Sequence, residues 1–182
     1  MKSSIITIFI LVVVLLALGT VTYFMHSKNV LNEKDTAATQ SLSASEETPY
    51  TDIDGNSFSF DDYRGNVRVV NVWASWCPFC AQELKDFEVL AEEYRDQNVA
   101  VIAVNRKETK EKVIAFLKTV GTFEHTVFTI DLTDAFYTSV GGFSMPETVF
   151  YDARGNVVMH RRGALSLEEM RTLTEQALNA TK

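Results

Sequence analysis

Three hydrophobic regimes succeed one another along the chain. From Ile5 to Met25 runs an apolar stretch of 21 residues without a charge. As a helix it would be about 31 Å long at ~1.5 Å per residue, which matches a bilayer core of roughly 30 Å. The alternative is a cleaved signal peptide, whose apolar core is shorter and ends in small residues. The end of this run, Thr20-Val21-Thr22-Tyr23-Phe24-Met25, is bulky, so an uncleaved anchor over residues 1–28 is the favoured expectation. Residues 29–48 are rich in Ser, Thr, Ala, Glu and Asp without a hydrophobic period, which predicts a flexible tether. Residues 49–182 carry the periodic patterns of a folded domain.

Within that domain, Tyr50–Asp54 and Ser57–Phe60 flank Gly55-Asn56 and predict a short N-terminal β-hairpin. Val67–Ala74 and Val99–Asn105 are almost continuously apolar, the signature of strands buried on both faces of a parallel sheet. Between them, from Pro78 to about Gln97, Cys80, Leu84, Phe87, Leu90, Ala91 and Tyr94 recur at helical spacing. Thr109–Val120 reads as a helix stopped by Gly121. A short strand follows at His125–Ile130 and a short helix at Asp134–Tyr137. Glu147–Tyr151 and Val157–Arg161 then bracket a turn at 152–156. A final helix opens at Ser166, with Glu169 placed to close a capping box. This order predicts an α/β domain with a mixed central sheet flanked by helices.

Composition narrows the function. Seventeen basic against 24 acidic residues leave a net charge of −7, and no basic stripe is present, which argues against nucleic-acid binding. Two cysteines cannot form a disulfide framework or a four-thiolate zinc site, and His26, His125 and His160 are scattered. No metal ligand set and no bound cofactor is expected.

The two cysteines carry the chemistry. Cys77-Pro78-Phe79-Cys80 follows a strand and opens a helix. Cysteines three apart on a helical turn share a face and can be bridged. A helix N-terminus favours the thiolate, which is the nucleophile of disulfide exchange. Cys77 is expected to be the acidic, exposed thiol, and Cys80 the shielded thiol that resolves a mixed disulfide. Half of a zinc site and a purely structural disulfide are the competing readings. The first lacks partners, and the second gains little from so short a loop. Glu83 lies on the apolar side of the same helix, where burial would raise its pKa, or else at the margin, where it would reach solvent; position alone does not choose.

The stretch Asn71-Val72-Trp73-Ala74-Ser75-Trp76-Cys77-Pro78-Phe79-Cys80 resembles the active-site motif of thioredoxin-like proteins. It is most similar to the membrane-anchored, extracytoplasmic TlpA/ResA-like (redoxin) branch, which includes reductases of cytochrome c maturation. The resemblance covers about residues 49–182 and implies a thioredoxin-like fold. It implies that Glu83 exchanges a proton with Cys80. An X–Pro bond is trans by default, but the resemblance implies a cis Pro146 facing the disulfide, leaving the backbone of Met145 free to bind a substrate chain and keeping metals off the cysteines. Glu147 also matches the cytochrome-maturation subgroup, although an ordinary exposed charge is an equal reading. Trp76, Pro78 and Phe79 are expected at the rim in contact with a partner, and Trp73 in the core. Two departures stand out. The segment 141–145 is about two residues longer than the common family loop, and Pro78-Phe79 is not the commonest active-site dipeptide of this branch.

The leading expectation is therefore a membrane-tethered thiol–disulfide oxidoreductase on the extracytoplasmic, periplasmic side. It would reduce protein disulfides, with apocytochrome c as the candidate substrate, and be reset by a membrane-bound thiol electron donor. A disulfide-introducing oxidant or isomerase and a non-catalytic partner-binding module are the alternatives.

Overall fold

The structure is a computed structural model and describes residues 50–180. The anchor and tether expected over residues 1–48 lie outside the described residues. Among the described residues no helix is long and apolar enough to cross a membrane.

Six strands form one mixed sheet: β1 (Tyr50–Asp52), β2 (Val67–Trp73), β3 (Val99–Arg106), β4 (Val127–Asp131), β5 (Glu147–Tyr151) and β6 (Val157–Arg162). Their order across the sheet is β1-β4-β3-β2-β5-β6. β2, β3 and β4 run parallel, joined by the helices α1 (Cys80–Tyr94) and α2 (Lys110–Val120). β1, β5 and β6 are antiparallel to their neighbours. The short α3 (Ala135–Ser139) and the C-terminal α4 (Leu167–Ala180) complete the fold.

Both faces of the central strands are buried, as their apolar runs require. On one face Val67, Val69, Val99 and Val101 meet Phe87, Leu90 and Ala91 of α1 and Met170, Leu173 and Ala177 of α4. Toward the C-terminal ends of the same strands, Trp73 and Ala103 meet both cysteines, Leu84 and the α2 residues Val113 and Leu117. Residues of opposite parity, Val70, Val72, Ile102 and Val104, pack on the other face against Phe58, Phe136 and Val149. The three long helices thus share one face. The other is closed by α3 and an aromatic cluster in which Phe58 and Phe60 meet edge to face with centroids 5.1 Å apart.

The N-terminal hairpin forms, with a second arm shorter than expected. The turn itself forms: Asp52 Oδ1 accepts the N–H groups of Asp54 and Asn56, and Gly55 takes the left-handed φ of 95°. The same Asp-x-x-Gly-Asn device closes the β5–β6 turn through Asp152, Gly155 and Asn156. After the first turn, however, only Thr51 and Ser57 pair. Phe60 enters a 3₁₀ turn over Phe60–Tyr63, because its ring and that of Phe58 are drawn onto the sheet face. β1 also pairs with β4 at the sheet edge.

α1 is shorter than its hydrophobic period suggested. It ends at Tyr94, and Asn98, at φ 54°, turns the chain into β3. It starts at Cys80 instead of Pro78, since Cys77 and Cys80 are joined by a backbone turn in which Cys80 N–H reaches Cys77 O. α4 opens as its sequence predicts. Glu169 N–H donates to Ser166 Oγ at 3.3 Å, and the Ser166 N–H donates back to Glu169 Oε2 at 2.9 Å. Ser166→Ala removes one half of this reciprocal cap and is expected to cost about 1 kcal/mol. The check is a lower urea midpoint with an unchanged m-value.

Candidate active site

β2 ends at Trp73, and the chain turns sharply, with Cys77 N–H donating to Ala74 O at 3.1 Å. Cys77 and Cys80 then form a disulfide, with Cα atoms 5.4 Å apart. It lies beyond the C-terminal ends of the parallel strands and immediately ahead of the first turn of α1, where backbone N–H groups lack helical partners. The ranking of the two sulfurs follows expectation, but the exposure of Cys77 does not: it is 3% accessible and Cys80 is wholly buried. Cys77 is tucked into the cluster formed by Trp73 and Leu84, against which Met145 packs. Trp76 and Phe79, at 60% and 63% accessible, stand exposed on either side of it, and Pro78 is exposed between them. Trp73 is core, stacked on Phe116 with centroids 5.6 Å apart.

The Met145–Pro146 peptide bond is cis. Met145 is half-buried and Pro146 buried at the start of β5, which pairs with β2.

Glu83 is buried, not marginal. Asn71, on the helical face of β2, donates from Nδ2 to Glu83 Oε2 at 3.0 Å and to Thr148 Oγ1 at 3.1 Å. The N–H of Leu165, in the loop before α4, donates to Glu83 Oε1 at 2.8 Å. Burial drives the carboxyl up to about 7, and the hydrogen bonds from Leu165 and Asn71 recover only part of that shift. One turn along α1 from Cys80, this is a group that can carry a proton near neutrality.

Glu147 corrects a second expectation. As a proposed substrate contact it would need to reach the surface, but it is wholly buried. Its Oε1 accepts the N–H groups of Phe143 and Ser144, each at 2.6 Å, and His160 Nε2 lies 2.8 Å from Oε2. Burial alone would raise its pKa, but these donors hold it below the usual carboxylate range. The reason is geometric: Glu147 follows the cis proline and opens β5, so its side chain turns back beneath the 141–145 segment. That loop is also tied from outside. Gly142 N–H donates to Tyr137 O at 2.8 Å, and Tyr137 Oη donates to Ser144 O at 3.1 Å. The Arg106 guanidinium lies 3.7 Å from the centre of the Tyr137 ring. The 141–145 segment is therefore a braced loop that holds Phe143, 84% accessible, in solvent.

Sequence reasoning passed over three residues of this site. Asn71 and Asn105 are buried polar residues in strands that are otherwise apolar apart from the partly exposed Arg68 and Arg106, and that break in pattern was the available signal. Glu108 carried no local signal. It is buried in the turn between β3 and α2 and accepts from Ser75 N–H at 2.7 Å, Ser75 Oγ at 2.7 Å and Asn105 Nδ2 at 2.8 Å, with Lys112 Nζ at 2.6 Å. Against its burial, these donors bring its pKa down to about 2. Among the described residues no group of three or more His, Cys, Asp or Glu side chains could hold a metal ion.

A family model described as Redoxin matches residues 34–178. The chain belongs to the redoxin family. This redoxin is similar to the thiol-disulfide oxidoreductase ResA of Geobacillus kaustophilus, with 30% identity covering 88% of each chain. It is 38% identical to the thiol:disulfide interchange protein DsbE of Allochromatium vinosum over 54% of its own length, and that match spans about half of the relative, 51%. Among solved structures, a thiol:disulfide interchange protein of the thioredoxin family from Chlorobium tepidum superposes with a TM-score of 0.60 at 26% identity, over 70% of this chain and 90% of that one. The mixed six-stranded sheet is accordingly a thioredoxin-like fold. The disulfide-bonded pair, together with relatives so named, makes this redoxin a thiol–disulfide oxidoreductase of the ResA and DsbE type.

Two outcomes follow from the geometry. Because Glu83 is raised in the folded protein, the native state holds a proton that the unfolded state has released between about pH 4.5 and 7. The oxidised protein should therefore lose stability as pH rises through that window and level off above it. Glu83→Gln should flatten this slope in urea titrations made at several pH values. Gly142→Ala would drive its Cβ into the Tyr137 ring. It should destabilise the protein by about 1–3 kcal/mol, read from the urea midpoint.

Proposed function

We propose that this redoxin is a membrane-tethered protein-disulfide reductase acting on the extracytoplasmic, periplasmic side of the cell membrane, with apocytochrome c as its substrate. The observation that carries the reading is the buried Glu83, brought to about 7 on the same helix face as Cys80. A resolving thiol sealed from solvent needs a local proton acceptor, and a carboxyl poised at neutrality supplies one.

In the reduced enzyme the Cys77 thiolate, favoured by the N-terminus of α1, attacks one sulfur of the substrate disulfide. The substrate S–S bond breaks, a Cys77–substrate bond forms, and the departing substrate sulfur takes a proton. Cys80 then gives its proton to Glu83 and attacks Cys77 Sγ. The Cys77–substrate bond breaks, the second substrate sulfur takes up a proton and the substrate leaves as a dithiol, and the enzyme is left with the Cys77–Cys80 disulfide that the structure holds. Two electrons have passed to the substrate. A membrane-bound thiol donor returns them to the enzyme by the reverse exchange. The cis Pro146, with no N–H of its own, leaves the Met145 backbone as a docking edge for an extended substrate segment. Trp76, Pro78 and Phe79 form the apolar rim. The redox-active disulfide is the only prosthetic chemistry this cycle uses.

The apolar run 5–25 supports the tether, which would concentrate the enzyme near membrane partners. Relatives named thiol-disulfide oxidoreductase ResA and thiol:disulfide interchange protein DsbE support thiol–disulfide exchange, and the resemblance of residues 71–80 to the cytochrome-maturation reductases supports the reductive, cytochrome-directed reading. Direction is read from the reduction potential: a value near about −270 mV fits a reductant, and one near about −120 mV a disulfide-introducing oxidant. Cys77→Ser should abolish reduction of a protein disulfide. Cys80→Ser should accumulate mixed disulfides, and mass spectrometry of the trapped species identifies the substrate. Failure to trap any cysteine-bearing protein, with full cellular function in both variants, would leave a binding module as the correct reading.

A further inference from the structure

Glu108 is a buried, ionised side chain that the exchange cycle above does not use. Its place explains why it is there. β2 and β3 pair in register up to Trp73 and Asn105, and there the parallel ladder ends. Two residues on, the Ser75 backbone N–H needs an acceptor that β3 no longer offers. Lys107, held at φ 57° with its N–H bonded to Asp131 O at 2.8 Å, turns the chain so that the next side chain folds back over the strand ends. Glu108 then accepts both the N–H and the hydroxyl of Ser75 at 2.7 Å, while Asn105 Nδ2, at 2.8 Å, and Lys112 Nζ, at 2.6 Å, hold the carboxylate in place.

We propose that Glu108 is a positioning residue for thiol–disulfide exchange, its carboxylate clamping Ser75 and so fixing Cys77, two residues further on, against the end of the sheet. In the oxidised protein the Cys77–Cys80 bond also ties this turn to α1. On reduction that covalent tie is lost, and the Glu108 bracket is what continues to hold the turn to β3 and α2. Two residues span at most about 7 Å, so the bracket acts at short lever arm on the attacking sulfur. Glu108 does not trade protons in the working range, because its donors keep it ionised down to about pH 2. Its part is that of a fixed anion and a geometric restraint, distinct from that of Glu83.

The inference rests on the exchange reading above, and its test is chosen to stand apart from any natural partner. Full-length protein in detergent, reduced, is alkylated with iodoacetamide across a pH series, and modification of Cys77 is followed by peptide mass. The redox equilibrium with glutathione is measured alongside. Glu108→Gln removes the anion and leaves Lys112 unpaired. The Cys77 thiolate should then form at lower pH, and the equilibrium should shift about tenfold toward the reduced protein, equivalent to about 30 mV. The pH-independent rate of insulin reduction should fall about tenfold as the turn loosens. Ser75→Ala keeps the charge and loses only the hydroxyl bond, so it should slow insulin reduction severalfold with the Cys77 titration unmoved. A merely structural Glu108 would lower the stability of both redox forms equally and leave potential, titration and rate per folded molecule as in the wild type. That result overturns the proposal. If Glu108→Gln does not fold, an unchanged rate in Ser75→Ala overturns it alone. Wild-type protein that fails to reduce insulin at all would instead count against the exchange reading, while the alkylation and glutathione arms still decide the bracket.

Discussion

A carboxyl group buried with too few donors to keep it charged is the constraint around which this site is organised. Glu83 faces an apolar cluster, and among the described residues it receives hydrogen bonds from two neutral groups, the Asn71 amide and the Leu165 N–H. Those donors come from the centre of the sheet and from the loop before α4. The protonation of Glu83 therefore depends on the whole packing of α1 and α4 against β2. If that packing loosened, water would enter, and the carboxyl would return toward its ordinary range.

Three solvent-inaccessible glutamates around the disulfide differ in depth and in donors, and the two together decide the outcome: Glu83 lies deepest, and desolvation dominates there. Glu83, with two neutral donors, sits at about 7. Glu147, with two backbone N–H groups and His160, falls below the ordinary value. Glu108, with three neutral bonds and the Lys112 ammonium, lies near 2. Environments that push like groups apart assign them different work. Only Glu83 is poised to move a proton; the other two are permanent anions that brace the loops on either side of the cysteines. Glu147 braces the loop ahead of the cis proline, and Glu108 braces the turn ahead of Cys77.

Both braces stand where the chain leaves regular structure. Strand ends expose backbone N–H groups that need acceptors, and a buried carboxylate provides two oxygens with several lone pairs each. The redoxin uses this at Ser75 and again at Phe143 and Ser144. Exposed aromatic side chains are thereby presented on well-held backbone: Trp76 just after the first brace and Phe143 directly on the second.

Much of this was legible in the chain. Continuous apolar runs marked β2 and β3, because a strand buried on both faces has no polar side. The Ser166 and Glu169 spacing marked the start of α4, and Cys77-Pro78-Phe79-Cys80 after a strand marked the reactive pair. These are local signals, set by periodicity and by hydrogen bonds a few residues long. Tertiary structure alone decided that the second arm of the first hairpin would end in a 3₁₀ turn, that Cys77 would be covered, and that Glu147 would point inward. It alone brought Asn71 to Glu83, Leu165 to Glu83 and Glu108 to Ser75, across separations of 12, 82 and 33 residues. A carboxylate's charge depends on which distant donors arrive beside it, and no local pattern records that.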